Sequence, residues 1–328
     1  MSVLILTSEE DVTADMVVAR LHETGVPVMR LDPADLPGKA VLSADYAHGD
    51  FRGHLSVNGH VLSMEGLRSV WVRRPGEPAA HAPHPSPWLT AETRQALFGL
   101  LCSGSPRWMN HPRNAEQARL KLWQLRVAHL SGFAVPPTLV TTSPRLARQF
   151  AAEHGDVVVK SASGPPPGAP ALALPTTLIG PDTDFSGVAA GPALLQRYIP
   201  KRADIRLTCV GTRLFAARKM AEPGQVDGRY GDTGHAWEAV PVPERVSRSV
   251  YEYVAHAGLA YAAFDFAEEK GIWWFLECNQ SGQFGFIELE TGQPISEAVA
   301  LWLSQRRASH HVPQGQTVLP DRRRRFPG

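Results

Sequence analysis

Apolar positions come in two rhythms from the start of the chain. Residues 3–6 form a continuous apolar run of strand length. Residues 11–23 space Met16, Val17, Ala19 and Leu21 for one face of a helix, which Gly25 ends. Residues 26–31 give a second strand, and strand–helix–strand predicts a parallel α/β sheet. Residues 55–62 alternate around Asn58-Gly59, a pair that favours a tight hairpin. Residues 69–72 add a strand that runs into Arg73-Arg74-Pro75. Residues 75–87, rich in Pro and His, read as a surface connection. Helical spacing follows over 89–101 and, more strongly, over 112–130 through Leu120, Trp123, Leu125, Val127 and Leu130. Pro136-Pro137 marks a boundary.

Beyond it, residues 138–141 and 156–159 read as strands on either side of a helix over 144–154. The second strand ends at Lys160, before a Gly/Pro-rich loop over 161–170. Residues 194–199 and 205–210 are strands. Gly211-Thr212 joins the latter to 214–220 as a hairpin, and Gly in the first turn position suits type II′. A helix over 246–257, strands over 261–267 and 272–278 and a last helix over 294–303 complete the pattern. No internal repeat is visible.

Composition narrows the class. The 328 residues are 43% hydrophobic and 20% charged, which excludes disorder for the bulk and fits two or three domains. A formal charge of +1 argues against general nucleic-acid or membrane-surface binding. Charge is uneven, however: residues 305–328 hold six arginines against Asp321 alone and read as a flexible basic tail, either a solvated end or a contact for something acidic. Cys102, Cys209 and Cys278 have neither disulfide nor zinc spacing, which suits a reducing cytoplasm. The first residues are too short an apolar run for a signal peptide, and no stretch has membrane-span length. His81 and His84 lack metal-ligating neighbours and are expected to be exposed.

The chemistry concentrates late in the chain. Side chains alternate faces along a strand. Ala263, Asp265 and Ala267 therefore share one face, and Phe275, Glu277 and Asn279 share one on the next strand. A turn centred near Gly271 sets Asp265 opposite Glu277. Two carboxylates and an amide are hard oxygen ligands that suit Mg²⁺; the plain alternative is a surface face with two stray acids. Lys121 and Lys160 are candidate phosphate partners. No Walker A loop, dinucleotide glycine fingerprint or G-x-S-x-G elbow is present, so phosphate is held by another scheme.

Lys121, Lys160, residues 194–199, Asp204-Ile-Arg206, the Gly211 hairpin, Asp227-Gly-Arg229, Asp265 and Glu277-Cys-Asn279 follow the order of the ATP-grasp carboxylate–amine ligases. The chain resembles the ribosomal-protein glutamate ligase branch. Through Trp71-Val-Arg-Arg-Pro75, Asn110-His-Pro, residues 132–139 and Ser281-Gly-Gln-Phe-Gly it resembles more narrowly the ATP-grasp peptide maturases, the macrocyclases of graspetides such as microviridin-type peptides. It departs from the usual Asn-Pro after the metal Glu, reading Asn279-Gln280, and has a stiffer loop after Lys160.

The resemblance implies a mixed α/β (α+β) ATP-grasp fold. Its units are an N-terminal pre-ATP-grasp domain (1–110), a central subdomain (111–192) and a C-terminal catalytic subdomain (193–304), before the tail. It implies that Lys121 and Lys160 contact ATP phosphates, Lys160 also lying near adenine. Gln196, Arg197, Tyr198 and Ile199 form the adenine hinge, and Asp204 binds ribose. Arg229 binds phosphate and the developing acyl phosphate. Asp265, Glu277 and Asn279 hold Mg²⁺, with Glu277 bridging two ions. Arg206, Arg229 and Lys160 are the implied catalytic set, and Arg73, Arg74, Arg206 and Asp227 the substrate-binding one. Arg206 is the candidate for steering the substrate carboxylate, with a structural salt bridge as its alternative.

The implied reaction converts an Asp or Glu side chain of a ribosomal precursor peptide to an acyl phosphate. A Ser/Thr hydroxyl or Lys amine then displaces phosphate. ATP and Mg²⁺ are the implied cofactors, a leader-plus-core peptide the partner, a cytoplasmic homodimer the form, and nucleic acid and membrane no partners. Two other readings stay open: a ligase adding a free amino acid to a carboxylate, and a nucleotide-binding regulator without turnover.

Overall fold

The structure is a computed structural model that describes residues 1–163, 175–222, 224–226 and 234–305. Asp227, Arg229, the tail beyond Gln305 and most of the loop expected after Lys160 lie outside the described residues.

The N-terminal unit follows the predicted pattern and adds to it. Strands β1 (Ser2–Leu6), β2 (Val28–Leu31), β6 (Leu67–Val72) and β7 (Arg107–Met109) form a parallel sheet in the order β2-β1-β6-β7. Val3 to Leu6 are fully buried, as a run apolar on both faces requires. Helices α1 (Val12–Glu23) and α2 (Pro87–Ser103) connect these strands. β3 (Ala40–Ala47), β4 (Asp50–Val57) and β5 (His60–Ser63) form a separate antiparallel sheet. Its turns at His48-Gly49 and Asn58-Gly59 place both residues at positive φ, the backbone that a tight hairpin of this kind needs.

The predicted helix over 112–130 is two helices, α3 (Pro112–Ala118) and α4 (Lys121–Leu130), broken at Arg119-Leu120. β8 (Thr138–Thr141), β9 (Val157–Lys160), β10 (Thr177–Ile179) and β11 (Ala193–Arg197) form an antiparallel sheet in the order β10-β9-β11-β8, and α5 (Pro144–His154) lies between β8 and β9 in sequence. The last unit is a five-stranded antiparallel sheet, β14-β13-β12-β15-β16. Its strands are β12 (Ala203–Val210), β13 (Arg213–Met220), β14 (Glu238–Val240), β15 (Tyr261–Glu269) and β16 (Ile272–Asn279). Helix α6 (Glu244–Ala257) precedes β15; α7 (Gly285–Thr291) and α8 (Ile295–Ser304) follow β16. Gly211 alone of its turn pair has positive φ (58°), as type II′ requires.

One face of the five-stranded sheet is a hydrophobic core. Phe264, Phe266 and Phe275 pack with Phe133 and, from α6, Tyr253; ring centroids lie 5.2 Å apart for Tyr253–Phe264 and 5.4 Å for Phe133–Phe266. The opposite face carries Arg206 and Asp265 beside a second apolar patch, where Phe215, Tyr261 and Ala263 pack with residues of the N-terminal unit. Among the described residues no helix is long and apolar enough to cross a membrane.

Candidate active site

The register of β15 and β16 builds the site. Asp265 pairs with Glu277 and Ala263 with Asn279, as the sequence predicts. The faces correct the simple alternation. From Phe266↔Phe275 onward to the turn the pairing shifts by one, so Leu276 is an extra residue in β16. This bulge re-aims the strand. Phe275 joins Trp273 and Cys278 in the buried core instead of sharing the face of Glu277 and Asn279. Three side chains then converge: the Asn279 Nδ2 donates to Asp265 Oδ2 at 3.2 Å and to Glu277 Oε1 at 3.1 Å.

Arg206, on β12 opposite Asp265, donates Nη1 to both Asp265 oxygens at 2.6 and 2.7 Å. Its Nη2 donates to the Gln283 carbonyl at 3.0 Å. The structure thus forms the salt-bridge alternative for Arg206. Burial opposes the Arg206 charge, but Asp265 outweighs it and raises its pKa. Burial pushes the Asp265 carboxyl up; Arg206 pulls against this, Glu277 adds to it, and the net direction is upward.

The loop after β16 is held close to this pair. A Cβ on Gly282 would lie 2.6 Å from the Ala263 Cβ and 2.9 Å from Arg206 Nη2, so only glycine fits. Its carbonyl accepts from the Tyr261 hydroxyl at 2.7 Å. Asn110, buried and at positive φ, donates to the Tyr261 and Gln280 carbonyls at 2.7 Å each and accepts from the Ala260 and Tyr261 amides. Arg73 is buried, donates to the Ser281 carbonyl and has Asp11 at 3.6 Å. It is a strut between the N-terminal unit and the loop, whereas Arg74 is exposed and lines the cleft.

Helix α4 supplies two residues one turn apart. Lys121 Nζ donates to the Ser161 carbonyl at 2.7 Å and lies 3.8 Å from Glu277 Oε2. Gln124 is buried: its Oε1 accepts from the Cys278 amide at 3.0 Å, and its Nε2 donates to the Cys278 carbonyl at 2.9 Å and to that of Ala118 at 2.7 Å. It ties α4 to the edge strand between Glu277 and Asn279. Sequence reasoning missed Gln124; its amide among helix-spaced apolar residues was the signal.

From the central sheet, Lys160 Nζ donates to Gln196 Oε1 at 2.8 Å, and Gln196 Nε2 donates to Thr138 Oγ1 at 2.9 Å. The Arg197 guanidinium lies 4.9 Å from the Trp274 ring centre. Asp204 accepts from Lys201 Nζ at 2.7 and 2.9 Å; Lys201, also absent from the expected set, is itself nearly buried and donates to the Val226 carbonyl at 3.2 Å. Burial pushes the Tyr198 hydroxyl up.

A cleft of about 600 Å³ gathers Arg74, Lys121, Lys160, Gln196, Arg197, Tyr198, Ile199, Asp204, Arg206, Asp265, Glu277 and Asn279 on its walls. Of the expected residues with described positions, only Arg73 stands behind the wall. His81 and His84 are exposed, as expected, and the His81 Nδ1 also lies 2.7 Å from the buried Asp35 carboxylate.

The donor set fits a hard divalent cation. Mg²⁺ takes one or two carboxylates, keeps waters and completes its shell with phosphate oxygens. Among the described residues no three His, Cys, Asp or Glu side chains come together, so the set depends on the Asn279 amide and on oxygens from outside the protein. Lys121 and Lys160 on the same cleft suit the charge of a polyphosphate.

Known proteins match this architecture. Residues 2–116 match the MvdD pre-ATP grasp domain. Over its length the chain superposes on the macrocyclase MdnC of Microcystis aeruginosa MRC, bound with precursor peptide MdnA, with a TM-score of 0.81 and 26% identity, covering 92% of this chain and 99% of that one. It superposes on a Chryseobacterium gregarium RiPP-associated ATP-grasp ligase in complex with ADP and a leader and core peptide (TM-score 0.79, 24% identity, 93% and 98% covered). It also matches the ATP-grasp ligase PsnB complexed with minimal precursor, Mg and ADP (TM-score 0.73, 20% identity, 92% and 96% covered). No curated protein matches. The fold is that of the ATP-grasp ligases, as the ordered residues implied.

Proposed function

We propose that this chain is an ATP- and Mg²⁺-dependent peptide macrocyclase. It activates Asp or Glu side chains of a ribosomal precursor peptide and joins them to Ser/Thr hydroxyls or Lys amines. The observation that carries the reading is the convergence of Asp265, Glu277 and Asn279, beside Lys121, on a cleft whose whole surrounding chain is built like the macrocyclases.

Each residue then has a physical task. Asp265, Glu277 and Asn279 hold Mg²⁺, one ion or two. The ion supplies charge neutralisation on the transferring phosphoryl group. Lys121 and Lys160 bind phosphate oxygens, and Gln196 holds Lys160 in place. Residues 196–199 frame adenine, and Asp204 receives the ribose. Arg206 opposes the upward push of burial on Asp265 and aims its carboxylate. Arg229 and Asp227 retain their expected roles toward phosphate and substrate as part of the proposal. The γ-phosphoryl group passes to the peptide carboxylate, which gives an acyl phosphate with a good leaving group. The hydroxyl or amine attacks the acyl carbon, loses its proton and releases phosphate; the net change in the peptide is loss of one water per link. The chain has to keep bulk water from the acyl phosphate, or it hydrolyses.

The three units keep the proposed boundaries 1–110, 111–192 and 193–304. A cytoplasmic homodimer is the proposed assembly, which light scattering on the purified protein tests. The main test mixes the protein, ATP, Mg²⁺ and the peptide of a neighbouring short reading frame rich in Thr/Ser/Lys and Asp/Glu. The expected product is lighter by one water per cross-link, and Glu277→Gln abolishes peptide-stimulated phosphate release. An unchanged mass defeats the reading; a gain of one residue favours the amino-acid ligase instead.

A further inference from the structure

The cations of the cleft wall are mostly engaged. Arg206 is held by Asp265, Lys201 by Asp204, and Lys121 lies against Glu277. Lys160 is bonded to Gln196, and Arg197 lies over Trp274. Arg74 differs. It lines the cleft, is exposed, and its guanidinium has no hydrogen bond or ion pair with any described residue. Its neighbourhood is already cationic. Burial lowers the pKa of Arg73, and Arg74 and Arg206 push it the same way, against Asp11 and Tyr261. Asp11 and Asp265 balance Arg73 and Arg206, which leaves one positive charge facing the cleft. Such a charge attracts an anion.

An apolar surface lines the same cleft. The rings of Trp237 and Phe286 meet edge-on, with centroids 5.9 Å apart. Both are held from behind. The Trp237 amide donates to Glu290 Oε2 at 2.8 Å and its indole packs on the core. Phe286 lies between Phe284 and Ile287, both fully buried, while Phe286 itself is 37% exposed. A rigid aromatic pair left partly open to a cleft is a contact surface for another apolar or aromatic group. Phe286 sits in the first turn of α7, just after Gln283, whose carbonyl accepts from Arg206.

We propose that Arg74, Trp237 and Phe286 form one peptide subsite: the guanidinium takes a side-chain carboxylate, and the ring pair takes an aromatic or bulky apolar side chain adjacent to it in the peptide. Arg pairs with carboxylate bidentately, so the contact is directional as well as attractive. The assignment moves carboxylate recognition from Arg206, which is occupied, to Arg74 on the N-terminal unit. It makes the acidic–aromatic dipeptide the element of substrate sequence selected at this end of the cleft. It rests on the peptide-ligase reading above.

The test uses the full chain with ADP and Mg²⁺ and three capped dipeptides: acetyl-Glu-Phe-amide, acetyl-Gln-Phe-amide and acetyl-Glu-Ala-amide. Affinities come from tryptophan fluorescence and from shifts of the Trp237 indole N–H signal. The protein is expected to prefer Glu-Phe over each of the others by roughly tenfold, the size of one charge-assisted or aromatic contact. Arg74→Gln removes the preference for Glu over Gln and keeps that for Phe over Ala; Arg74→Lys retains part of the first. Phe286→Ala removes the preference for Phe and keeps that for Glu. Cooperative urea unfolding establishes that each variant is folded. Equal binding of all three dipeptides by the unaltered protein, or an Arg74→Gln protein that still prefers Glu, overturns the subsite. An enzyme that fails to cyclise yet keeps these preferences counts against the macrocyclase reading alone.

Discussion

Gln124 shows how one buried side chain sets the geometry of others. Its amide satisfies the N–H and C=O of Cys278, which lies between Glu277 and Asn279. β16 is the edge strand of its sheet; Ala134 bridges it at Trp274, and Gln124 supplies at Cys278 the partners that a neighbouring strand would. Gln124→Ala leaves a backbone donor and acceptor unsatisfied, which costs about 1–3 kcal/mol each way such groups are counted. Urea unfolding reads the loss, and Mn²⁺ titration in the presence of ADP is expected to weaken with it. Gly282→Ala acts through space alone: the new methyl meets Ala263 and Arg206, so the loop has to shift. The expected result is a folded protein with the Glu277→Gln phenotype, loss of peptide-stimulated phosphate release. Asp35 offers a pH dependence. Burial pushes its carboxyl up, but the hydrogen bonds with His81 and Lys39 outweigh it, and the net direction is below 3.8. A carboxyl more acidic folded than unfolded adds stability above its unfolded value, and that stability fades as pH falls through the folded value. Asp35→Asn is therefore expected to cost about 1–2 kcal/mol near pH 7 and to cost nothing once the native carboxyl is protonated in strong acid, as denaturant titrations at the two pH values measure.

At the scale of elements, period and turn chemistry were legible and local irregularity was not. The Asp265–Glu277 pairing followed from a register centred on Gly271; the turn itself pairs Glu269 with Ile272, which alone would set Asp265 opposite Leu276, and the bulge moves Glu277 into place. The bulge at Leu276 left no trace: Trp, Phe and Leu are all apolar, so either parity satisfies the pattern until the cores are seen. The break between α3 and α4 was equally silent, since Arg119-Leu120 contains neither Gly nor Pro. That break puts Lys121 in the first turn of α4, where a cation is disfavoured by the helix dipole and a phosphate is welcome. β3 was missed because it is mostly exposed and carries little apolar alternation. The bulge yields a test. Deleting Leu276 makes the pairing continuous and leaves Glu277 opposite Asp265 and Phe275 opposite Phe266. The shortened protein is expected to unfold cooperatively and to lose less stability than Phe275→Ala, which costs about 3–5 kcal/mol. Its ADP affinity is expected to fall, because Leu276 lines the cleft.

The whole molecule is tied together by a core that ignores the order of units along the chain. Val3 and Ile5 of β1, Val17 and Leu21 of α1 and Trp71 of β6 pack in one cluster with Tyr261 of β15 and with Ile295, Val299 and Leu303 of α8. Polar contacts follow the same seam. Ser69 Oγ donates to the Leu303 carbonyl at 2.8 Å, and Arg107 donates to that of Trp302 at 2.8 Å while its guanidinium lies 4.0 Å from the Trp302 ring centre. Arg73 reaches the loop that carries Gly282. Burial of each large apolar side chain contributes about 1.5–3 kcal/mol, so these residues outweigh the net stability of an ordinary domain. Residues 111–328 alone would expose the α8 face and lose the strut at Ser281. Two consequences are expected. Calorimetry of the full chain gives one transition for the N-terminal and C-terminal units together. The fragment 111–328 binds a hydrophobic dye and lacks a cooperative transition. A fragment that unfolds sharply and binds ADP as the full chain does would mean that the shared core is a docking contact, and that the site does not depend on the N-terminal unit for its shape.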